Sequence, residues 1–553
     1  MIFGNFSIND KKPHWKFLLV CDGIAFLVII GLSIYILQPL ISFGTATTTD
    51  SIYYLDVSQN IADGFGLVES TYLLGPEKFK PLTSWPPLYP FILSFFASPH
   101  LTGPIEATRL AFVSLAITVM LMYFILRQFL GIFLALLGSL ILLFSHPILT
   151  VFSYAWSETL FIPLLLFACL IGNFCIRFSD TIKTSRQIFC VLGLTISLVA
   201  LVYCRYIGIV FIIFLPLTWL LGKNKKILLK YYISAIVLYI GLVSILLSRN
   251  FSLTGNFGGI SRQNSTKSIL NNFSDLWGAI QIQFSYSPDL FWPILLVVLV
   301  AILIKYFENQ ESTVRGSANN KPPPKIIWIC LVGVTSYLVS LLLLRSFYDF
   351  DRIDTRLISL IWPFIIIILF FGINIKWSFK YNIIIRSLIF ICPIILITLI
   401  FNRGLAVYNQ VLIVQQCYKK TYGFYAYPSE KYKYNNMTLE IVDKDSKKFL
   451  RMMHDLSKFK YVGTLISDYS DPRIIQLMTG IKSRKLPSGK INDEAVKLIN
   501  NADENGMVLI LNDSAKDYIY SYYKNNQNIP LGNKYFLNTY QALLIPLPLP
   551  RAD

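Results

Sequence analysis

The chain has 553 residues, 54% hydrophobic and only 14% charged, with a mean hydropathy of +0.56, a balance that excludes an ordinary water-soluble globular protein. Its net charge of +18 would suit a nucleic-acid binder, but in a polytopic membrane chain basic residues report first on orientation, and no nucleic-acid partner is expected. The eight cysteines lie almost all in apolar runs and the four histidines are scattered, so neither a disulfide framework nor a zinc site is implied.

The first apolar run, 17–37, is about as long as a bilayer-crossing helix needs (~20 residues). It carries no convincing small-residue cleavage site, so an uncleaved anchor is expected. A long loop, 38–107, follows. Within its stretch TTTDSIYYLDVSQNIADGFG, 47–66, Asp56, Gln59, Asn60 and Asp63 share one helical face, with Tyr53, Tyr54, Val57 and Ile61 opposite. The spacing predicts an amphipathic helix along the membrane surface, with Asp56 and Asp63 on its solvated stripe. Asp50 stands just before that helix. There a carboxylate either caps the helix N-terminus or points into a cavity among the spans, and the physics of the sequence does not separate the two. The segment PPLYPFILSFFASPHL, 86–101, is apolar but short, and predicts a helix lying in or dipping into the interface.

Ten further spans are expected at 108–126, 131–150, 158–176, 187–203, 207–222, 231–248, 290–306, 326–344, 357–373 and 383–401, eleven in all. Lys and Arg concentrate on one set of connections, including the cluster at 223–230, which predicts the N-terminus inside and the long first loop outside. Residues 1–401 are thus read as a transmembrane module. Residues 402–553 change character: YVGTLIS (461–467), MVLIL (507–511) and YQALLIPL (540–547) have the pattern of buried strands, while SDPRIIQLMTG and NDEAVKLINNA have helical spacing. An extracytoplasmic α/β domain is expected there.

Charged groups recur where outward loops meet spans: Glu158 in SYAWSETLF, Arg205 in YCRYIGI, and Arg352, Asp354 and Arg356 in YDFDRIDTRL. Loop residues and snorkelling anchors are the mild reading. The number of outward arginines argues against it, because positive charge should be depleted there. Guanidinium groups match phosphate with a planar fork of donors. Acids and arginines at one face suggest transfer of a group from a phosphate ester, with a carboxylate as base.

The anchor, the long loop opening on Asp50, Tyr54 four residues later, the PPLYP segment, Glu158 opening a later span and the outward tail together resemble the C-type (GT-C) integral membrane glycosyltransferases, particularly the branch of protein O-mannosyltransferases and bacterial aminoarabinose transferases. The resemblance implies a GT-C-like helical membrane module that moves a single sugar, with inversion, from a polyprenyl-phosphate carrier to a glycan, lipid or protein acceptor on the outer face of a bacterial inner membrane. In that scheme Asp50 matches the family's catalytic base, Glu158 resembles its second-loop acid and Tyr54 matches the family tyrosine four residues after the base. Arg205, Arg352 and Arg356 are the candidates for the lipid phosphate, with Arg262 beside them. Two departures stand out: Asp50 is followed by Ser51 where many members have Glu, and Trp85 precedes the PP pair where the branch often has Lys. Lys80 or Lys78 is the candidate substitute for that Lys. The WWDYG signature of oligosaccharyltransferases is absent. A divalent metal is compatible with the resemblance, but no residue pattern asks for one. Two other classes stay open, a flippase or transporter of lipid-linked sugar and a catalytically idle sugar-lipid-binding relative; the absence of paired halves disfavours the transporter.

Overall fold

The computed structural model describes residues 14–41, 45, 48–71, 78–97, 103–179, 184–223, 225–284, 324–349, 353–373, 391 and 394–409, with five short strands between 465 and 546. Helix α1 (His14–Leu40) leads to α2 (Thr49–Ala62), a hairpin of β1 (Val68–Thr71) and β2 (Lys78–Pro81), and the short α3 (Leu88–Ser94). Then come α4 (Gly103–Arg127), α5 (Ile132–Leu143), α6 (His146–Phe152), α7 (Glu158–Phe178) and α8 (Thr184–Cys204). A 3-10 helix (Tyr206–Ile213) runs into α9 (Phe214–Leu221), followed by α10 (Lys225–Thr254) and α11 (Ile269–Ile282). The helical series closes with α12 (Ile326–Phe347), α13 (Thr355–Ile358), α14 (Trp362–Ile373) and α15 (Ile394–Asn409).

Six of the described helices are long and apolar enough to cross a membrane, α1, α4, α7, α8, α10 and α12, and a seventh crossing is formed if α5 and α6 count as one bent span. Such helices are apolar on every side, because lipid and neighbouring helices make the same demand and the backbone must satisfy its own hydrogen bonds. How they divide between protein and lipid shows in burial: 72% of the apolar window of α7 is buried, against 28% of that of α10. Helix α7 is therefore the central element, and whatever it carries at its first turn is held from all sides.

The expected span 131–150 is corrected: the chain breaks at Phe144–Ser145 and turns through 58° between α5 and α6. Pro147 in the first turn of α6 explains the break, since its ring cannot continue a helix from α5 but suits the start of a new one. Gly404 of α15 packs into this notch, where a Cβ would overlap the Phe144 carbonyl oxygen. A second break falls at Arg205, whose extended backbone (φ −152°, ψ 134°) separates α8 from the 3-10 helix. Gly208 lets that turn fold back onto α8, since a Cβ there would overlap the Leu201 carbonyl group. The expected span 290–306 lies outside the described residues, as does the first part of 383–401.

Helices α2 and α3 are too short to cross a bilayer. They build a small separate core, in which Tyr54 and Leu55 of α2 meet Tyr89 and Leu93 of α3 and Ala107 and Leu110 of α4. The solvated-stripe expectation for α2 holds at Asp63, which is exposed and accepts from Gln59 Nε2 at 2.9 Å. It fails at Asp56 and Asn60. Asp56 is buried and its Oδ2 accepts the Ser70 N–H at 2.9 Å, while Asn60 Nδ2 donates to the Val68 carbonyl at 2.9 Å. The polar face of α2 is thus used to dock β1, and the amphipathic spacing reflects a strand partner rather than water.

Strands β3 (Leu465–Ser467), β4 (Ser483–Lys485), β5 (Met507–Ile510), β6 (Tyr535–Leu537) and β7 (Ala542–Pro546) form a five-stranded sheet of order β4-β3-β5-β7-β6. Strand β3 runs parallel to β4 and β5, and β7 antiparallel to β5 and β6. The three apolar runs read as strands supply β3, β5 and β7; the helical stretches expected between them lie outside the described residues.

Candidate active site

Four chain segments far apart in sequence meet at the first turn of α7. Glu158 is that helix's first residue and has no exposed surface. Arg205 reaches it from the break after α8, with Nη1 on Glu158 Oε1. Arg356 reaches it from α13, with Nε on Oε1 and Nη2 3.4 Å from Oε2. Arg356 Nη1 lies 2.7 Å from Asp50 Oδ2 on α2. Two carboxylates and two guanidinium groups therefore form one connected cluster.

Local structure explains each placement. Asp354 caps α13, its side chain accepting the Leu357 N–H at 3.2 Å, and so fixes the turn that carries Arg356. Tyr337 of α12 donates to the Leu357 carbonyl at 2.9 Å from the other side. Ser157 joins the groups behind the acids: its Oγ is 3.1 Å from Arg205 Nη1, 3.2 Å from the Tyr54 hydroxyl and 3.4 Å from Glu158 Oε2. The Arg356 guanidinium carbon also lies 4.6 Å from the centroid of the Trp156 ring, a cation–π contact.

Asp50 falls inside the first turn of α2, which begins at Thr49, rather than ahead of it. Thr48 is the N-cap residue and makes no side-chain capping bond. The Asp50 carboxylate is engaged by Arg356 across the cluster instead of by its own helix end.

Charge governs the site. Burial works against the Arg356 cation, but Glu158 and Asp50 outweigh it and hold the group protonated far above the ordinary range. Arg205 has the same balance, with burial overcome by Glu158. Burial pushes the Tyr54 phenol up, with Asp50 adding to the shift, so Tyr54 serves as a neutral donor. Burial likewise raises the Asp354 carboxyl against the capping N–H groups and Arg356. Access separates the two central acids: the Asp50 side chain is 17% exposed and that of Glu158 is fully enclosed, with Arg205 and Arg356 at 16% and 13%.

Five of the residues singled out from sequence thus come together: Asp50, Tyr54, Glu158, Arg205 and Arg356. Lys80 is elsewhere. It sits opposite Glu69 in the β1–β2 register, and its Nζ lies 2.9 Å from the buried Glu69 carboxylate. Arg262 is exposed in the 255–268 segment, where its charge bears on the Tyr206 phenol. Arg352 lies outside the described residues. Thr48, Trp156 and Ser157 join the site with no mark in the sequence pattern, although the last two immediately precede Glu158 in the stretch SYAWSETLF. Among the described residues no group of three His, Cys, Asp or Glu side chains is arranged to hold a metal ion.

A polytopic helical chain with an acid–arginine cluster at the end of its central span belongs to a recognisable structural class. No protein-family model matches the chain and no curated protein matches it, but solved structures do. ArnT from Cupriavidus metallidurans bound to undecaprenyl phosphate matches with a TM-score of 0.54 at 9% identity, over 94% of this chain and 97% of that one. Its apo state gives the same TM-score, 0.54, at 8% identity. The apo oligosaccharyltransferase of Archaeoglobus fulgidus gives 0.45 at 11% identity, over 90% of this chain and 70% of that one. The likeness to ArnT spans nearly the whole of both chains, and this chain shares the fold of that structure.

Proposed function

We propose that the chain is an inverting glycosyltransferase that takes one sugar from a polyprenyl-phosphate donor and gives it to an acceptor hydroxyl or amine at the outer face of the membrane. The observation that carries this reading is the Asp50–Arg356–Glu158–Arg205 cluster. It offers one reachable carboxylate beside two guanidinium groups whose charge is guaranteed by an enclosed acid. Undecaprenyl phosphate bound to ArnT, which shares the fold, makes a lipid phosphate the natural ligand for the arginines.

The roles divide by access. Asp50 accepts the acceptor's proton as the acceptor oxygen or nitrogen attacks the anomeric carbon from the face opposite the phosphate. The bond from that carbon to the phosphate oxygen breaks, and the electron pair leaves with the polyprenyl phosphate, whose charge Arg205 and Arg356 stabilise. Glu158, enclosed and bound to both arginines, orients them and does not meet the acceptor. Lys80 has no part in this scheme, because its charge is matched to Glu69 on the hairpin. The outer-face placement rests on the distribution of Lys and Arg along the chain, and a bacterial inner membrane fits the lipid carrier. The sheet of β3–β7 belongs to a tail on the same outer side.

Purified chain in proteoliposomes, given polyprenyl-phosphate-linked sugars with labelled sugar, tests the reading. Time-dependent release of polyprenyl phosphate with label passing to an acceptor is expected. Movement of intact donor across the bilayer without cleavage would make the chain a transporter, and binding without either would make it an idle relative.

A further inference from the structure

We propose that Trp156 is a positioning residue that sets the spacing between Asp50 and Arg356. This rests on the reading of Asp50 as the base and adds to it the side chain that holds the base and the arginine in register.

Three contacts converge on this one indole. Tyr154 stacks on it with ring centroids 4.1 Å apart and planes within 10°. The Arg356 guanidinium lies over it at 4.6 Å. Its Nε1–H donates to Thr48 Oγ1 at 2.8 Å. With Trp156 and Tyr154 exposed by only 7% and 9%, the pair is not an open aromatic platform for a sugar ring. Its faces and its polar edge are engaged within the protein.

The Thr48 contact gives the arrangement its meaning. A threonine at an N-cap ordinarily accepts a backbone N–H from the first turn of its own helix. Thr48 makes no such bond. Its hydroxyl takes the Trp156 N–H instead, and lies 3.3 Å from Ser51 Oγ in that first turn. Asp50 is two residues further on, carried rigidly by the same turn. Trp156 therefore touches both sides of the 2.7 Å Asp50–Arg356 contact, the α2 side by a hydrogen bond and the α13 side by stacking.

Trp156 is itself fixed. It lies in the short link between α6 and α7, and its carbonyl accepts from both the Thr159 N–H at 3.1 Å and the Thr159 hydroxyl at 2.7 Å. The link is thereby locked to the first turn of α7, where Glu158 sits. One short segment thus supplies the enclosed acid and the spacer, and a displacement of about 1 Å at such a site is worth on the order of 10²-fold in rate.

The test is a double-mutant cycle on the full chain in nanodiscs, using Trp156→Phe, which keeps the ring and loses the N–H, and Thr48→Val, which loses the acceptor. Each single variant is expected to lower kcat for a polyprenyl-phosphate sugar about tenfold with KM for the donor changed less than about twofold, and the double variant to be no worse than either single one. Trp156→Leu, which also removes the stack, is expected to raise donor KM about tenfold in addition. The same cycle read in thermal unfolding reports whether the 48–156 bond exists independently of any turnover. Unchanged kcat in both single variants, or effects that multiply in the double variant, would overturn the positioning role while leaving the proposed reaction standing. Absence of turnover by the wild-type chain would remove the reaction and the role together, even with coupling seen in unfolding.

Discussion

Arg356 Nη1 stands 2.7 Å from Asp50 Oδ2, while Nε of the same guanidinium is bonded to Glu158. The reachable carboxylate and the enclosed one therefore share a single cation. On the proposed reading an arriving lipid phosphate competes with Asp50 for that cation, and each gain of Arg356 by the phosphate frees the Asp50 carboxylate to meet the acceptor. The enclosed Glu158 makes the exchange tolerable, because Arg356 keeps one counter-charge throughout.

Glu158→Gln is the substitution expected to damage both fold and function. Removing one partner of a buried ion pair costs about 3–5 kcal/mol, because the remaining charges stay enclosed without compensation. Here Arg205 would lose its acid and Arg356 would keep Asp50 alone. A large drop in the thermal unfolding midpoint in detergent is expected, with loss of donor use, whereas Asp63→Asn on the exposed end of α2 leaves the midpoint unchanged. Equal midpoints for Glu158→Gln and wild type would show that the arginines are balanced by something other than Glu158.

Gly208 gives a purely steric test of how Arg205 is placed. A methyl group at 208 overlaps the Leu201 carbonyl group of α8, so Gly208→Ala must push the 3-10 helix away and carry Arg205 with it. Gly241 in α10 has open space around it, and the same change there is favourable by about 1 kcal/mol on helix propensity. Donor KM should rise at least about tenfold in Gly208→Ala and stay level in Gly241→Ala. A Gly208→Ala chain with normal donor use would mean that Arg205 does not contact the donor.

Much of this was legible in the sequence, and the limits have physical causes. Asp50, Glu158, Arg205 and Arg356 stand out because a charge beside a span is conspicuous against so apolar a chain. Their pairing is not legible, since it depends on where α2, α8 and α13 end in space. Asp56 and Asn60 mislead because a helix face docked on a strand through polar bonds has the same spacing as one facing water. The break at Phe144–Ser145 hides inside a continuous apolar run, marked only by Pro147 and by Gly404 some 260 residues later. In the tail, β3, β5 and β7 announce themselves as apolar runs, whereas β4, with the sequence Ser-Arg-Lys, is a strand only by virtue of its parallel neighbour β3. Trp156 goes unnoticed because an aromatic near a span end is common in any membrane protein.

Orientation is tested by cysteine labelling of intact cells. Lys226→Cys is expected to resist an impermeant reagent until the membrane is opened, because it lies in the basic cluster at 223–230. Asp63→Cys, exposed at the end of α2, is expected to react from outside. Outward labelling at 226 would reverse the topology and put the acid–arginine cluster on the inner face.

The most direct test of the central claim compares Asp50→Asn with Asp56→Asn and Asp63→Asn in the proteoliposome transfer assay. Asn at 50 keeps the size and a hydrogen-bond acceptor but cannot take the acceptor's proton, so transfer should fall by about 10² or more. Asn at 56 still accepts the Ser70 N–H, and Asn at 63 remains an exposed partner of Gln59, so both should transfer within about threefold of wild type. Undecaprenyl-phosphate binding, measured alongside, should be retained by all three. Near-normal transfer by Asp50→Asn, with binding intact, would contradict the assignment of Asp50 as the base.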